Sequence, residues 1–485
     1  MDGQLQIRRG MLWLGSATII ARLLDVGATI AVLRLLTQEQ MGLAALALSA
    51  CTVLESLSGF GIGHAIIQDR NLSSDEEHSL FWLTSVMGVV LALLLVGLAP
   101  LLSSTYDDAA LRPLLAVSGL KLVLIGMTVV PLQLLGRTLQ FKETGAVQTL
   151  ASAGEGIVKI VLAALGSGAW AMIWGNVARG LVLLIGLWFL SAYRPRMHFA
   201  FAETRRFVRF GLTLASSNIL FQMYKNSDYF LVGKFLGLEA LGLYRVAFDV
   251  AMQPTEAIIT VVNRVGLPIY ARLAHDTRAL LSSFLSTTRS FLLMAAPVAA
   301  VIFFASGDVL RIVGGERWLG SQPAVQILVW ASLIRAAAVI FPEVYIAAGK
   351  PQYATLDSLV SLIVLAGSFA CGLHFFPQLG VLSVCLAWLL VYPLILLGHV
   401  VWTHRWMSLG VGRYFSALAP GLGAAATMIV GLQAVRRVLP VHQQGLTELL
   451  ALASLGVVIY LAYLRWILKT RLSEFLPRRG ARSGS

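Results

Sequence analysis

Long apolar runs follow one another along almost the whole chain and constrain its fold more than any other feature. A helix needs about 20 apolar residues to cross a bilayer, whereas the strands of a membrane barrel alternate over about ten residues. The runs are of helical length, and hydrophobic residues make up 58% of the 485 residues. We therefore predict an all-α integral membrane protein with about fourteen transmembrane helices. The candidate spans are 11–33, 41–63, 80–103, 113–135, 146–166, 169–192, 207–232, 241–265, 289–307, 323–347, 354–376, 378–402, 411–433 and 446–468.

The lysines and arginines between the spans indicate how the chain is oriented. With the N-terminus inside, the inner segments hold 23 Lys and Arg residues and the outer segments hold 7. Cytoplasmic loops carry the excess of positive charge in membrane proteins. We therefore expect both termini to be cytoplasmic. The same rule accounts for the net charge of +13, so nucleic acid is not an expected partner.

A short segment of the first part of the chain recurs 200 residues later. Residues 34–47 and 234–247 share Leu, Glu, Gly, Leu and Ala at equal offsets. Each copy follows one long apolar run and opens another, which is typical of transporters built from two related bundles. The identical pairs are Leu36/Leu236, Glu39/Glu239, Gly42/Gly242, Leu43/Leu243 and Ala47/Ala247.

The repeat and the spans together predict the domain organisation. Residues 1–192 form an N-terminal lobe of six spans, and 207–402 form a second six-span lobe. The basic segment 193–206 links the two lobes on the cytoplasmic side. Residues 403–485 add spans 13 and 14 and a basic cytoplasmic tail.

Fourteen charged residues fall inside the predicted spans. Each costs about 2.5–3.5 kcal/mol at a helix centre, so each is expected to face protein, a wet cavity or an opposite charge. The basic residues are Arg22, Lys121, Lys159, Arg179, Lys225, Arg245 and Arg335, and the acids are Asp25, Glu55, Glu155, Asp228, Asp249, Glu256 and Glu343. Asp357 stands at the edge of a span.

Some of these charges can neutralise each other along one helix face, as structural pairs. The pairs at suitable spacing are Arg22/Asp25, Lys225/Asp228, Glu155/Lys159 and Arg245/Asp249. Arg22/Asp25 and Lys225/Asp228 occupy equivalent places in the two repeats, so they also predict polar groups on both walls of a cavity between the lobes. Glu55, Lys121, Arg179, Glu256 and Arg335 have no close partner on their own helix.

The sequence offers little for catalysis or metal binding. Cys51, Cys371 and Cys385 lie in apolar runs without a CxxC pattern, which favours packing roles. No Ser-His-Asp, paired-carboxylate or HExxH pattern is evident, so we expect neither an enzyme nor a metal site.

Two stretches resemble the polysaccharide transporters of the multidrug/oligosaccharidyl-lipid/polysaccharide exporter superfamily, in particular the Wzx-type lipid-linked oligosaccharide flippases. One is 30–43, IAVLRLLTQEQMGL, and the other is 226–237, NSDYFLVGKFLG, which is followed by ALGLY at 240–244. Both are helix-loop patterns that identify the scaffold and say little about the cargo. Gln40, followed by Met41, departs from the aromatic residue that this family usually has before the glycine.

The resemblance implies a flippase that moves undecaprenyl-diphosphate-linked oligosaccharide across the bacterial inner membrane. Arg and Lys in a cavity would suit the diphosphate, and acids would suit a coupling ion, H⁺ or Na⁺, with no other cofactor. The candidate substrate-binding cations are Arg22, Lys225, Lys121, Lys159, Arg179 and Arg335. The candidate coupling acids are Asp25, Asp228, Glu55, Glu155, Asp249 and Glu256. Expected partners are the lipid-linked substrate, membrane lipids, and a polysaccharide polymerase with its export machinery.

Three alternatives remain open on the sequence. A cation-coupled multidrug exporter of the same superfamily would have a cavity that is more apolar and acidic. A membrane polymerase or ligase would need a large outer loop, and the largest, near 308–322, is too short for a catalytic domain. A non-transporting component of polysaccharide assembly is the third.

Overall fold

The structure is a computed structural model that describes residues 2–59, 62, 63, 66, 72–138, 140–191, 193–438 and 446–467. Helices make up nearly all of this part of the chain, and no strand occurs within these ranges. The Cα positions divide the chain into two compact units, Met1–Arg245 and Val246–Ser485.

Among the described residues, the first unit contains six helices and the beginning of a seventh. They are α1 (Asp2–Leu35), α2 (Gln38–Ser58), α3 (Ser74–Thr105), α4 (Leu111–Arg137), α5 (Phe141–Ala164), α6 (Ala169–Leu190) and α7 (Phe201–Leu273). Capping boxes fix two of the starts: Thr37 pairs with Gln40 before α2, and Ser73 pairs with Glu76 before α3.

In the described part of the second unit lie the rest of α7 and eight further α-helices. These are α8 (Thr277–Phe304), α9 (Ser306–Val313), α10 (Gln322–Ala338), α11 (Ile340–Ala347), α12 (Pro351–Phe375), α13 (Val381–Met407), α14 (Val411–Val438) and α15 (Leu446–Trp466). Two short 3₁₀ helices, Glu316–Ser321 and Pro377–Leu379, precede α10 and α13.

The helices confirm an all-α membrane protein. Within the described ranges, ten helices are long and apolar enough to cross a membrane, and they coincide with ten of the predicted spans. The other four predicted spans, 11–33, 207–232, 241–265 and 446–468, fall on α1, α7 and α15. The count of fourteen is therefore approximate.

Helix α7 is interrupted where the sequence separates two spans. Gly237 has φ 85°, a left-handed conformation that a residue with a Cβ rarely adopts, so the chain kinks between two helical stretches. The boundary between the compact units, 245/246, also lies in α7 and not in the predicted linker 193–206. The grouping of the spans into two six-helix lobes stays a prediction.

The glycines of the two copies of the sequence repeat pack against the opposite copy inside the first unit. A Cβ added to Gly42 would overlap the carbonyl oxygen of Leu238, and one added to Gly242 would overlap the carbonyl oxygen of Gln38. Each copy therefore places its glycine on the backbone four residues before the glycine of the other copy. The contact is reciprocal, as in a two-fold pair, and glycine permits the close approach of the backbones.

Candidate functional site

A cluster of four ionisable side chains lies among α1, α5 and α6. Glu155 is its centre: one carboxylate oxygen is 2.5 Å from Lys159 Nζ, and the other accepts a hydrogen bond of 2.9 Å from Arg179 Nη1. Arg179 Nη1 also donates to Ser152 Oγ at 3.0 Å and lies 3.7 Å from Asp25 Oδ1. We call Asp25, Glu155, Lys159 and Arg179 the charged cluster.

Small residues bring the three helices of the charged cluster together. Gly156 of α5 faces Ala28 of α1, whose Cβ would be 3.1 Å from a Cβ at position 156. Gly175 of α6 leaves the space that the aliphatic stem of Lys159 occupies, and an added Cβ would overlap that stem. Close approach at small residues is the usual basis of helix packing in membranes.

Exposure separates the members of the charged cluster. The side chains of Glu155 and Lys159 are 9% and 14% exposed, whereas those of Asp25 and Arg179 are 31% and 33% exposed. Asp25 and Arg179 are therefore the more accessible members of the charged cluster. Glu155 and Lys159 join residues one turn apart on α5, and Glu155 also holds Arg179 of α6.

A second ion pair in the first unit joins α2 and α4. Lys121 Nζ is 2.6 Å from Glu55 Oε2, and the two side chains are 14% and 29% exposed. Cys51, one turn before Glu55, donates to the carbonyl oxygen of Ser118 at 3.4 Å. The ion pair gives Lys121 and Glu55 the partner that neither has on its own helix.

Asp228 is fully buried, which does not fit the expectation that it faces a cavity. Its carboxylate accepts a hydrogen bond of 2.6 Å from the Tyr244 hydroxyl and one of 2.9 Å from the backbone N–H of Tyr229. Arg245 lies over the ring of Tyr229, 5.2 Å from its centroid. Lys225, one turn away, is half-buried.

Asp25 has a closer partner than Arg22, its predicted partner on the same helix face. Asp25 forms its ion pair with Arg179 of α6, and Arg22 is exposed on α1. The predicted pair Glu155/Lys159 is confirmed.

In the second unit, Arg335 of α10 binds Glu256 of α7. Arg335 Nη2 donates to Glu256 Oε1 at 2.8 Å, and Arg335 Nη1 lies 3.7 Å from the sulfur of Met252. Thr255 and Ser332 share a hydrogen bond of 3.1 Å beside this pair. Asp249, the remaining candidate acid, is half-buried on α7.

The sequence interpretation missed a polar group in the second unit. Asp357 of α12, noted only as standing at the edge of a span, is 2.9 Å from Nε2 of His399 in α13. His399 was not counted among the intramembrane ionisable residues. The available signal was a histidine within the apolar run 378–402, close to its C-terminal end.

Comparison with known proteins identifies the family of this chain. Residues 31–323, more than half of the chain, match the family model described as "Polysaccharide biosynthesis protein". The chain belongs to this family.

Curated relatives carry names from polysaccharide assembly. The chain is 27% identical over 329 residues to the lipopolysaccharide biosynthesis protein WzxC of Escherichia coli, which covers 67% of each chain. It is 26% identical over 383 residues to the teichuronic acid biosynthesis protein TuaB of Bacillus subtilis, covering 76% of this chain and 77% of TuaB. It is 23% identical to the succinoglycan biosynthesis transport protein ExoT of Rhizobium meliloti, covering 70% of this chain and 69% of ExoT.

Solved structures share the fold at low sequence identity. The lipid II flippase MurJ in an inward closed conformation superposes with a TM-score of 0.74 at 11% identity, over 94% of this chain and 99% of MurJ. An inward-facing multidrug resistance MATE transporter superposes with a TM-score of 0.63 at 14% identity, over 82% of this chain and 98% of the transporter. The fold is therefore that of the MurJ and MATE transporters.

Proposed function

We propose that the protein is a flippase for undecaprenyl-diphosphate-linked oligosaccharide repeat units, which it moves across the bacterial inner membrane by alternating access. The product would feed exopolysaccharide, capsule or O-antigen assembly. One observation carries the proposal: a chain of a polysaccharide biosynthesis family has the fold of a lipid II flippase over 94% of its length. The relative named as a succinoglycan biosynthesis transport protein supports transport over catalysis.

The proposed topology has both termini in the cytoplasm and many helices in the inner membrane. Its support is the excess of 23 inner over 7 outer Lys and Arg residues. The protein would carry out no covalent chemistry, and a polymerase and export machinery would act on the delivered unit.

The charged cluster is the part of the first unit best suited to the anionic head group. Arg179 is its most exposed cation, and a guanidinium binds a diphosphate through two parallel hydrogen bonds. Arg22, exposed on α1, would add a second cation, and Lys225 a third from α7. Lys121, Lys159 and Arg335 have side chains 14%, 14% and 5% exposed and paired with acids, so their main role would be to hold helices together.

The acids divide in the same way. Asp25 and Glu55 have side chains 31% and 29% exposed, and Glu256 is 27% exposed. These three can reach water and exchange an ion as the protein changes conformation. Glu155 and Asp228 are more deeply buried and hold fixed hydrogen bonds, which suits a structural role.

A depletion experiment in the bacterium that carries the gene tests the proposal. Loss of the protein should abolish the polymer and leave single lipid-linked repeat units with their sugars on the cytoplasmic side. The wild-type chain should restore the polymer, and Arg179→Lys should restore less of it because a point charge cannot form the paired hydrogen bonds. Lys142→Arg, which keeps a charge away from the cluster, is the matched control.

Two results would contradict the proposal. Polymer made at normal levels without the protein would exclude an essential transport role. Single repeat units that accumulate on the outer leaflet would place the defect after flipping, as expected for a polymerase.

A further inference from the structure

The second unit contains a cavity of about 360 Å³ between α12 and α13. Most of its lining is apolar, and it opens among exposed apolar side chains such as Leu356, Val360 and Leu394. Asp357 and His399 are the acid and the histidine among its lining residues. An ionisable pair facing an apolar cavity of a membrane protein is costly, which makes a functional role the first hypothesis.

A chain of hydrogen bonds runs from this cavity into the packed helices. His399 Nε2 is 2.9 Å from Asp357 Oδ1, and His399 Nδ1 is 3.1 Å from the hydroxyl of Tyr345 in α11. The Tyr345 hydroxyl is in turn 3.3 Å from Thr403 Oγ1, one turn further along α13. The imidazole lies flat against the ring of Phe341, with centroids 5.0 Å apart and planes 12° apart.

This chain can hold one proton more or less without moving a heavy atom. An ionised carboxylate only accepts, so the Nε2 atom of His399 carries hydrogen in both states. When Nδ1 is bare, the Tyr345 hydroxyl donates to it and the Thr403 hydroxyl donates to Tyr345. When Nδ1 is protonated, it donates to Tyr345 and the Tyr345 hydroxyl turns to Thr403. Every group named stays hydrogen-bonded in either state.

We propose that Asp357, His399 and Tyr345 form a proton-binding site in the second unit. Uptake of one H⁺ forms the Nδ1–H bond of His399, reverses the Tyr345 hydrogen bond, and changes the charge of the Asp357–His399 pair from −1 to 0. The neutral pair suits the apolar cavity. Release of the proton leaves the Asp357 carboxylate charged, with hydrogen bonds from His399 and, at 3.4 Å, from Ser361.

The surrounding helices bring few other charges to this site. Tyr353 of α12 lies at the cavity, and the ammonium group of Lys350 lies over Trp406 and Tyr353, 4.4 and 5.5 Å from their ring centroids. On α13, His404 bonds the carbonyl oxygen of Leu409. Other titratable groups of the adjacent helices include His374 of α12, Arg405 of α13 and Glu343 of α11. Arg335 of α10 is bound to Glu256, and on α14 Arg413 lies next to Tyr414, which donates to the carbonyl oxygen of Ala337.

The site links proton release to opening of the cavity. A conformation that admits water to Asp357 stabilises its lone charge, and one that excludes water favours the protonated pair, so the proton and the conformation influence each other reciprocally. If the protein is the flippase proposed above, this linkage would let a proton gradient drive the conformational cycle. That consequence rests on the proposed function, whereas the proton site does not.

The test is the titration of His399 in the full-length chain. Protein labelled with ¹⁵N-histidine is placed in lipid nanodiscs, and His399→Gln identifies its resonances among those of the eight histidines. In the wild type, His399 should pass from imidazolium to the Nε2–H tautomer as the pH rises. Asp357→Asn should lower the midpoint by about one pH unit or more, a tenfold loss of proton affinity. Tyr345→Phe should lower it as well, because protonated Nδ1 then lacks its acceptor.

Two matched measurements keep the test decisive. His404→Gln, on the same helix but bonded to a backbone carbonyl, should leave the His399 midpoint unchanged. A wild-type His399 that does not titrate between about pH 5 and 10 would overturn the site, as would a midpoint that Asp357→Asn leaves in place. If His399 titrates as described while His399→Gln flips substrate normally at every pH, the proton site stands and its coupling to transport falls.

Discussion

The reciprocal contact of Gly42 and Gly242 gives a quantitative prediction about the sequence repeat. In Gly42→Ala, the new Cβ overlaps the carbonyl oxygen of Leu238 and lies 3.0 Å from the backbone nitrogen of Gly242. Backbone atoms cannot rotate away as a flexible side chain can, so the two segments must separate. Forcing extra volume into a packed contact costs about 1–3 kcal/mol.

Gly97→Ala supplies the matched control for this substitution. Gly97 lies in α3 with no other atom within 4 Å of an added Cβ. Both substitutions gain the same helix propensity, up to about 1 kcal/mol. The difference between the two variants therefore isolates the overlap. Gly242→Ala should match Gly42→Ala, and the double variant should lose less than the sum because one separation relieves both overlaps.

Thermal unfolding in detergent measures the difference. The 11 tryptophans make intrinsic fluorescence a sensitive signal. Gly42→Ala and Gly242→Ala should both melt several degrees below Gly97→Ala. Equal melting temperatures for all three would refute the claim that the repeat glycines set the distance between the two segments.

Three further predictions concern the charges and the topology. Glu155→Leu should destabilise the protein by about 3–5 kcal/mol, because Lys159 and Arg179 lose their shared acid, and the yield of folded protein in size-exclusion chromatography should fall sharply. Adding Lys159→Met should recover part of that yield. Tyr244→Phe should lower the melting temperature, at a cost of about 1.5–3 kcal/mol, because buried Asp228 loses a charge-assisted hydrogen bond, and an unchanged melting temperature would contradict this. The topology can be tested in a variant that lacks Cys51, Cys371 and Cys385. In cells with a permeabilised outer membrane, an impermeant thiol reagent should label Asp107→Cys but not Met197→Cys, and the reverse pattern would overturn the proposed orientation.

The sequence alone predicted the features that depend on neighbours along the chain. Apolar run length predicted the helices, because each span satisfies its own backbone hydrogen bonds. The spacing of Glu155 and Lys159 predicted their pair, because residues four apart share one helix face. The turn between spans 7 and 8 was also predicted, and Gly237 provides its left-handed backbone.

Partners on other helices were beyond the sequence pattern. Asp25 forms an ion pair with Arg179 and Glu55 forms one with Lys121, because the packing of the helices decides which side chains meet. Within α7, the hydroxyl of Tyr244 donates a hydrogen bond to Asp228 from the other side of the kink at Gly237, and a neutral partner does not show in a charge pattern. The repeat was visible in the sequence, but only the structure shows that each of its two glycines packs against the backbone of the other copy.

The central claim is transport of a lipid-linked oligosaccharide, and reconstitution tests it most directly. The purified protein is placed in vesicles with undecaprenyl-diphosphate-linked oligosaccharide, and an enzyme outside the vesicles that cleaves the sugar reports how much substrate reaches the outer leaflet. We predict that substrate initially shielded in the inner leaflet becomes accessible faster than in protein-free vesicles, and that Arg179→Ala slows this while Lys142→Arg does not. The claim would be contradicted if substrate became accessible no faster than in protein-free vesicles, although the protein kept the wild-type melting temperature. Pumping of organic cations by the same vesicles would instead favour a multidrug exporter.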